Sequence, residues 1–257
     1  MESTAVRVVD WIDGAVNLRD FGGYPTEDGR RVRSAVLFRS GATGAISRAG
    51  LARVADELRI RTVIDLRSEK ERQRSLSPFE EHGIDVVHEP LDPGSGISPG
   101  APSASLLARM AQGKLDWVEL YWSLIQRNGD RFARIIDLLG RPGTLPVLIH
   151  CTGGRDRTGV TVALIQAALG ISAANIAEDY ALSSPLLELA PVAEFERLFG
   201  SFDIPREEIV RAMVTRPDTM HALFARVRGV YGDVDGLLRA IGLDREALDR
   251  LRAAVCA

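Results

Sequence analysis

Leu145-Pro146-Val147-Leu148-Ile149-His150-Cys151-Thr152-Gly153-Gly154-Arg155-Asp156-Arg157-Thr158-Gly159 leads directly into an apolar segment, Val160 to Leu169. The run up to His150 is short, branched and apolar, which reads as a buried strand. Gly153 and Gly154 interrupt it and let the backbone curl. Val160 to Leu169 is apolar nearly all round, as a helix at the centre of a domain should be. A strand, a tight glycine turn and a buried helix in succession form a unit of an α/β fold.

Working outward from that unit, the alternation continues. Val36-Leu37-Phe38 is a short apolar run, and Ser47 stands where it can cap a helix carrying Leu51, Val54, Ala55 and Leu58. Arg61 to Leu66 reads as a buried strand and Ile84 to His88 as another. Asp92 to Gly100 is rich in glycine, proline and serine and reads as a flexible loop. Leu115, Val118, Trp122 and Ile125 mark one helix face; Phe132, Ile135, Ile136 and Leu139 continue helically after a break near Gly129. The expected fold is α/β, a central and mostly parallel sheet flanked by helices. Past Asp179 there is no strand signal. Helices are expected over 186–199, 206–214, 217–230, 234–241 and 245–255, with Pro205 and Pro217 near helix entries and Asp233 and Asp244 as caps.

The bulk properties narrow the classes. The chain has 257 residues, 46% hydrophobic and 26% charged, with a net charge of −3, values typical of a soluble globular protein. That length suits one domain with an elaboration, or at most two small domains. The charge balance gives no reason to expect nucleic acid. No apolar run approaches the roughly 18 residues of a membrane span, so no stable membrane insertion is expected. Met1 to Val9 lacks a basic start and an apolar core. A cytoplasmic location follows as the expectation, with signal-independent secretion left open. Cys151 and Cys256 do not form a disulfide framework. His82, His88, His150 and His221 give no zinc spacing, so neither metal nor other cofactor is expected.

The quoted loop carries chemistry. A nucleophilic cysteine works as a thiolate. Inward backbone N–H groups, the N-terminus of the following helix and the charge of Arg157 would each favour that form at Cys151. Gly153 and Gly154 allow successive amides, with those of Thr152 and Arg155, to converge on one anion. Arg157, six positions after Cys151, offers a planar fork for two phosphate oxygens. The same donors would stabilise the equatorial oxygens of an in-line transition state. Thr158 can donate to the Cys151 sulfur as it leaves. A nucleotide-binding loop fits worse, because its Gly-Lys-Ser/Thr ending is missing. A sulfur-transfer loop is the nearest chemical rival, and a phosphate-recognising module without turnover is the alternative from another class.

His150 to Gly159 resembles the signature of protein tyrosine and dual-specificity phosphatases, His-Cys-x-x-Gly-x-x-Arg-Ser/Thr-Gly. The closer resemblance is to the atypical bacterial phosphatases of the mycobacterial protein tyrosine phosphatase B type, whose loop reads His-Cys-x-x-Gly-Lys-Asp-Arg-Thr-Gly. Asn17 to Gly23, Leu37 to Ser40, Thr62 to Ser68 and Asp179 to Ser183 match further family segments. The resemblance implies one phosphatase domain over 1–257, a helical lid over 183–231 and a phosphocysteine intermediate. Phosphotyrosine protein is the implied substrate, with phosphoserine/threonine and phosphoinositide as extensions. Arg155 departs from the family's lysine, the residue tied to phosphoinositide cleavage, so lipid activity carries over less directly than phosphotyrosine activity.

Two aspartates compete to protonate the leaving oxygen. Asp156 occupies the position that the resembled subgroup uses, although its arginine neighbours favour the carboxylate while a donor must hold a proton. Asp92 opens the loop where dual-specificity phosphatases carry their acid; its plainer reading is a turn residue before proline. Asp156 is preferred. Asp65, at a strand end, is expected to orient Arg157 or the loop. Arg19, Asp20 and Arg39 match family segments and read equally well as salt-bridge residues.

Overall fold

The computed structural model describes residues 7–75, 77–92, 94, 114–188, 207 and 214–257. Its sheet has six strands in the order β1-β2-β3-β6-β4-β5. These are β1 (Arg7–Val8), β2 (Arg19–Asp20), β3 (Leu37–Ser40), β4 (Thr62–Asp65), β5 (Asp85–His88) and β6 (Val147–His150). Between β3 and β5 all pairings are parallel, with β6 seated between β3 and β4. The β1 and β2 strands add an antiparallel edge. The expected α/β sheet is therefore present and mostly parallel. Its two-residue edge strands are too short to give a periodic signal.

Strand alternation sorts the core onto two faces. Phe38, Leu148 and Val63 lie on one rung and pack with Leu51 and Val54 of α1 (Arg48–Asp56). Leu37, Val147, Ile149 and Ile64 face the larger core. That core is completed by α3 (Trp117–Arg127), α4 (Gly129–Leu139), α5 (Asp156–Ala168) and α6 (Ala173–Ala181). Further helices are α2 (Glu69–Arg74), α7 (Ser183–Glu188), α8 (Pro217–Tyr231), α9 (Val234–Ala240) and α10 (Arg245–Val255). Helix α5 is buried on nearly every side, as its composition predicts.

Local signals explain the boundaries. Ser47, Asp233 and Asp244 each accept a backbone N–H at a helix start, and Pro217 occupies the first turn of α8. The helix expected over 206–214 lies almost wholly outside the described residues, and the one over 186–199 shows only as part of α7. Much of the expected lid over 183–231 falls there too. Its α8 portion is no loose cover, because Met220, Leu223, Phe224 and Val227 are buried in the main core. No helix among the described residues is long and apolar enough to cross a membrane.

Candidate active site

The loop opens where β6 ends, at the carboxyl edge of the parallel strands, where open α/β sheets place their ligands. Cys151 is buried at 2% exposure. Beyond it the backbone is held by its carbonyls. Thr152 O accepts from Ala42 N at 2.7 Å. Gly153 O accepts from Asn17 Nδ2 at 3.4 Å, and Gly154 O from Asn17 Nδ2 at 3.0 Å and Arg39 Nη2 at 2.9 Å. A trans peptide points its N–H opposite to its C=O. Holding these three carbonyls outward therefore turns the N–H groups of Gly153, Gly154 and Arg155 toward the hollow of the loop. Gly154 has φ +66°, and a Cβ there would lie 2.5 Å from Gly41 N and Ser40 O. Only glycine fits.

The restraints are themselves anchored. Cross-strand register sets Arg19 opposite Arg39, two cations that would repel. Asp179 of α6 lies between them, 3.0 Å from Arg19 Nε and 2.6 Å from Arg39 Nη1, with all three side chains at most 1% exposed. Burial alone would raise the Asp179 carboxyl, but the two arginines outweigh it and hold it below the usual carboxylate range. Ser183 Oγ accepts from Arg19 Nη2 at 3.1 Å, and Arg19 Nη1 donates to Asn17 Oδ1. Asp20 caps Gly22 N at 2.8 Å and Ala35 N at 2.6 Å, bracing the β2–β3 connection.

Arg157 has a partner that the loop alone does not announce. Its Nη1 and Nη2 donate to Glu71 Oε2 at 2.8 Å and Oε1 at 2.7 Å. Glu71 is the third residue of α2, where Ser68 and Glu71 cap each other reciprocally. Thr152 Oγ1 also donates to Glu71. Burial would raise the Glu71 carboxyl, but Arg157 and Thr152 hold it at about 2. Burial would likewise weaken the Arg157 charge, and Glu71 reverses that direction. The guanidinium is thus fixed before substrate arrives: its Nη1–Nη2 edge is taken by Glu71 in the planar bidentate geometry that arginine prefers, which leaves its Nε edge to serve an anion.

Asp65 corrects one expectation. It does not touch Arg157; it grips Arg67 through Nε at 2.9 Å and Nη2 at 2.7 Å, and lies 3.7 Å from His150 Nε2. It holds Arg67 just beyond the strand end and makes no hydrogen bond to His150 Nε2, while Glu71 orients the arginine of the loop. His150 is fully buried and its Nδ1 meets Cys151 O at 3.2 Å, so it bears on the backbone of the nucleophile and not on its sulfur. Burial pushes its imidazole toward the neutral form. Thr158 Oγ1 is buried without a hydrogen-bond partner, so the expected bond to the Cys151 sulfur is not made here.

The two aspartates separate cleanly. Asp92 Oδ1 caps Gly94 N at 2.9 Å, and its side chain is 66% exposed. Asn128 pins its backbone, accepting from Asp92 N at 2.8 Å and donating to Asp92 O at 2.9 Å. Asp156 sits at the start of α5, inside the loop. Its Oδ1 accepts from Arg155 Nε at 2.9 Å and from Tyr121 Oη at 2.6 Å, and its Oδ2 from Arg155 Nη2 at 3.1 Å. Arg155 is itself buried, with its guanidinium 4.4 Å from the Trp117 ring centre. Sequence reading had not marked Glu71, Tyr121 or Trp117. The Ser68-x-x-Glu71 capping box was a visible signal for the first; the aromatic residues carried none beyond helical spacing.

A buried thiol, amides turned inward around it and a pre-set guanidinium make a centre of the cysteine-dependent phosphatase class. The comparisons with known proteins place it more closely: the model of the tyrosine phosphatase family matches residues 11–257, and the chain belongs to that family. A Cupriavidus necator protein named as a tyrosine-protein phosphatase is 29% identical over 88% of this chain and 81% of its own length. The triple specificity protein phosphatase PtpB of Mycobacterium tuberculosis is 28% identical over 95% of this chain and 98% of its own. Among solved structures, P. aeruginosa TpbA in complex with pTyr aligns over 95% of this chain and 99% of its own, at 17% identity and a TM-score of 0.41.

Proposed function

We propose that this chain hydrolyses phosphotyrosine in proteins in two displacements at phosphorus, with Asp156 as the proton-transfer group. In the first, the Cys151 sulfur attacks phosphorus and the bond to the leaving oxygen breaks. Asp156 gives that oxygen its proton. In the second, water attacks the phosphocysteine, Asp156 takes a proton back, and the sulfur leaves as thiolate. The inward amides of Gly153, Gly154 and Arg155, with the Nε edge of the Arg157 guanidinium, would carry the phosphoryl oxygens through both steps. Thr158, with a buried and unpartnered hydroxyl, is placed by sequence to stabilise the departing sulfur.

The observation that carries this reading is the restraint of three successive carbonyls, Thr152, Gly153 and Gly154, outward around Cys151. It supports an anion cradle centred on a nucleophile. A sulfur-transfer loop would not need Arg157 pre-set by Glu71. The preference for Asp156 over Asp92 is supported by position, since Asp92 is an exposed turn cap. PtpB is named for triple specificity, so phosphoserine/threonine and phosphoinositide belong in the test. Arg155 stands where the resembled family carries lysine, which puts the protein substrate ahead of the lipid.

Activity should be profiled on phosphotyrosine peptides, phosphoserine peptides and phosphoinositide vesicles, with Cys151→Ser as control. The expected result is highest kcat/KM on phosphotyrosine, abolished in Cys151→Ser. Phosphate binding with no turnover on any substrate would leave a recognition module instead.

A further inference from the structure

Asp156 is not alone at the mouth of the loop. Behind it, two phenols line up through the core. Tyr121 of α3 is 1% exposed and Tyr180 of α6 is 3% exposed. Their hydroxyl oxygens are 2.7 Å apart and their rings meet edge to face, 6.0 Å between centroids. Tyr121 spends its one proton on Asp156 Oδ1, so the Tyr180 hydroxyl must donate to the Tyr121 oxygen. Tyr180 is in turn wedged against the loop's last residue, since a Cβ on Gly159 would lie 3.1 Å from its ring. The chain of donors therefore has a direction, from Tyr180 through Tyr121 to Asp156.

We propose that Tyr121, backed by Tyr180, is a positioning residue that decides which oxygen of Asp156 carries the transferred proton. This rests on the reading of Asp156 as the acid. Oδ1 already accepts from Tyr121 and from Arg155 Nε, which occupies its acceptor directions. Oδ2 has one longer contact, 3.1 Å to Arg155 Nη2. A carboxylic acid holds its proton on a single oxygen, and here Oδ2 has the room for it. Rotation about the Cβ–Cγ bond would exchange the two oxygens; the Tyr121 hydroxyl resists that exchange. Burial, followed by the charge of Asp156, pushes both phenols up, so they remain donors throughout the working range. Proton transfer depends steeply on such placement.

The test compares two substrates that differ in their need for an acid: a phosphomonoester of p-nitrophenol, whose anion leaves unaided, and one of a simple alkyl alcohol. The readout is the ratio of kcat/KM between them, for the full chain and for Tyr121→Phe, Tyr180→Phe and Asp156→Asn. Phenylalanine keeps the ring packing in both tyrosine variants, and thermal melts check that they fold. Tyr121→Phe should lose about tenfold on the alkyl ester and under about twofold on the p-nitrophenyl ester; Tyr180→Phe should show the same pattern more weakly. Equal losses on both esters in Tyr121→Phe would reduce the tyrosine to a packing role and overturn the proposal. If Asp156→Asn lacks leaving-group dependence, the acid assignment fails. If Asp156→Asn has it and Tyr121→Phe does not, only the positioning role fails.

Discussion

Glu71→Gln isolates the ion pair that holds Arg157. The variant keeps the size and most contacts of the side chain and removes its charge. The carboxyl lies at about 2 in the folded protein against an ordinary 4.5, a depression of roughly 2.5 pH units, worth about 3–4 kcal/mol at about 1.4 kcal/mol per unit. Removing one partner of a buried pair independently suggests about 3–5 kcal/mol. A group depressed on folding contributes fully above its unfolded value and loses that contribution as pH falls through its folded value. The Glu71 term is therefore complete at neutral pH, is down by about 1 kcal/mol at pH 4, and vanishes near pH 2. Urea unfolding of wild type and variant at pH 7, 5 and 4, followed by tryptophan fluorescence, measures the difference directly. The expected difference is about 3–4 kcal/mol at pH 7, narrowing at pH 4. Inorganic phosphate should also inhibit the variant more weakly, because its Arg157 guanidinium is no longer pre-set. A difference below about 1 kcal/mol at pH 7, or one that ignores pH, would refute the assignment of Glu71 as the anchor of Arg157.

Asp179→Asn leaves Arg19 and Arg39 buried beside each other without a carboxylate. It should cost about 3–5 kcal/mol, lowering the thermal midpoint by about 10 °C in calorimetry, and turnover should fall because Arg39 positions Gly154. Gly154→Ala forces a side chain into φ +66° and against Gly41 and Ser40; strain of about 1–3 kcal/mol is expected, together with weaker inhibition by inorganic phosphate. Asp92→Ala should leave alkyl-phosphate turnover within about twofold and stability within about 0.5 kcal/mol, as for a surface substitution, whereas Asp156→Asn should abolish most of that turnover. The opposite ranking in the same assay would move the acid to Asp92.

The parallel core of the sheet was legible because short apolar runs lead into or form β3, β4 and β6, and helices announce themselves through caps such as Ser47 and Asp244. The loop was legible because nucleophile, glycines and arginine are contiguous. What escaped lies far from it in sequence. Glu71 is separated from Arg157 by more than eighty positions, and a capping box reads the same whether its glutamate ends in water or on a guanidinium. Tyr121 looks like one more core aromatic at helical spacing. Asp65 reads as a residue that orients Arg157 or the loop because it ends a strand beside them, but Arg67, two residues away, already claims both its oxygens. Local pattern fixes which elements form; the pairing of buried charges depends on distances that no local pattern contains.

Those buried charges have a common origin in the loop. An anion cradle requires successive N–H groups aimed inward, so the carbonyls of the same peptides must face the core. A buried carbonyl without a donor is costly. Ala42 N supplies one donor from the backbone, but Gly153 and Gly154 rely on side chains, Asn17 and Arg39. A buried guanidinium then needs a counter-charge, and Asp179 provides it for Arg39 and Arg19 together. On the other side of the loop the same logic runs through Arg157 to Glu71 and into the cap of α2. Polarity therefore alternates outward from the hollow of the loop, from amide to carbonyl to cation to carboxylate. Each layer is held by the next, so the loop meets its anion without having to rearrange. Substitutions in the outermost layer, at Asp179 and Glu71, should accordingly reduce catalysis without touching substrate, through the orientation of groups that do.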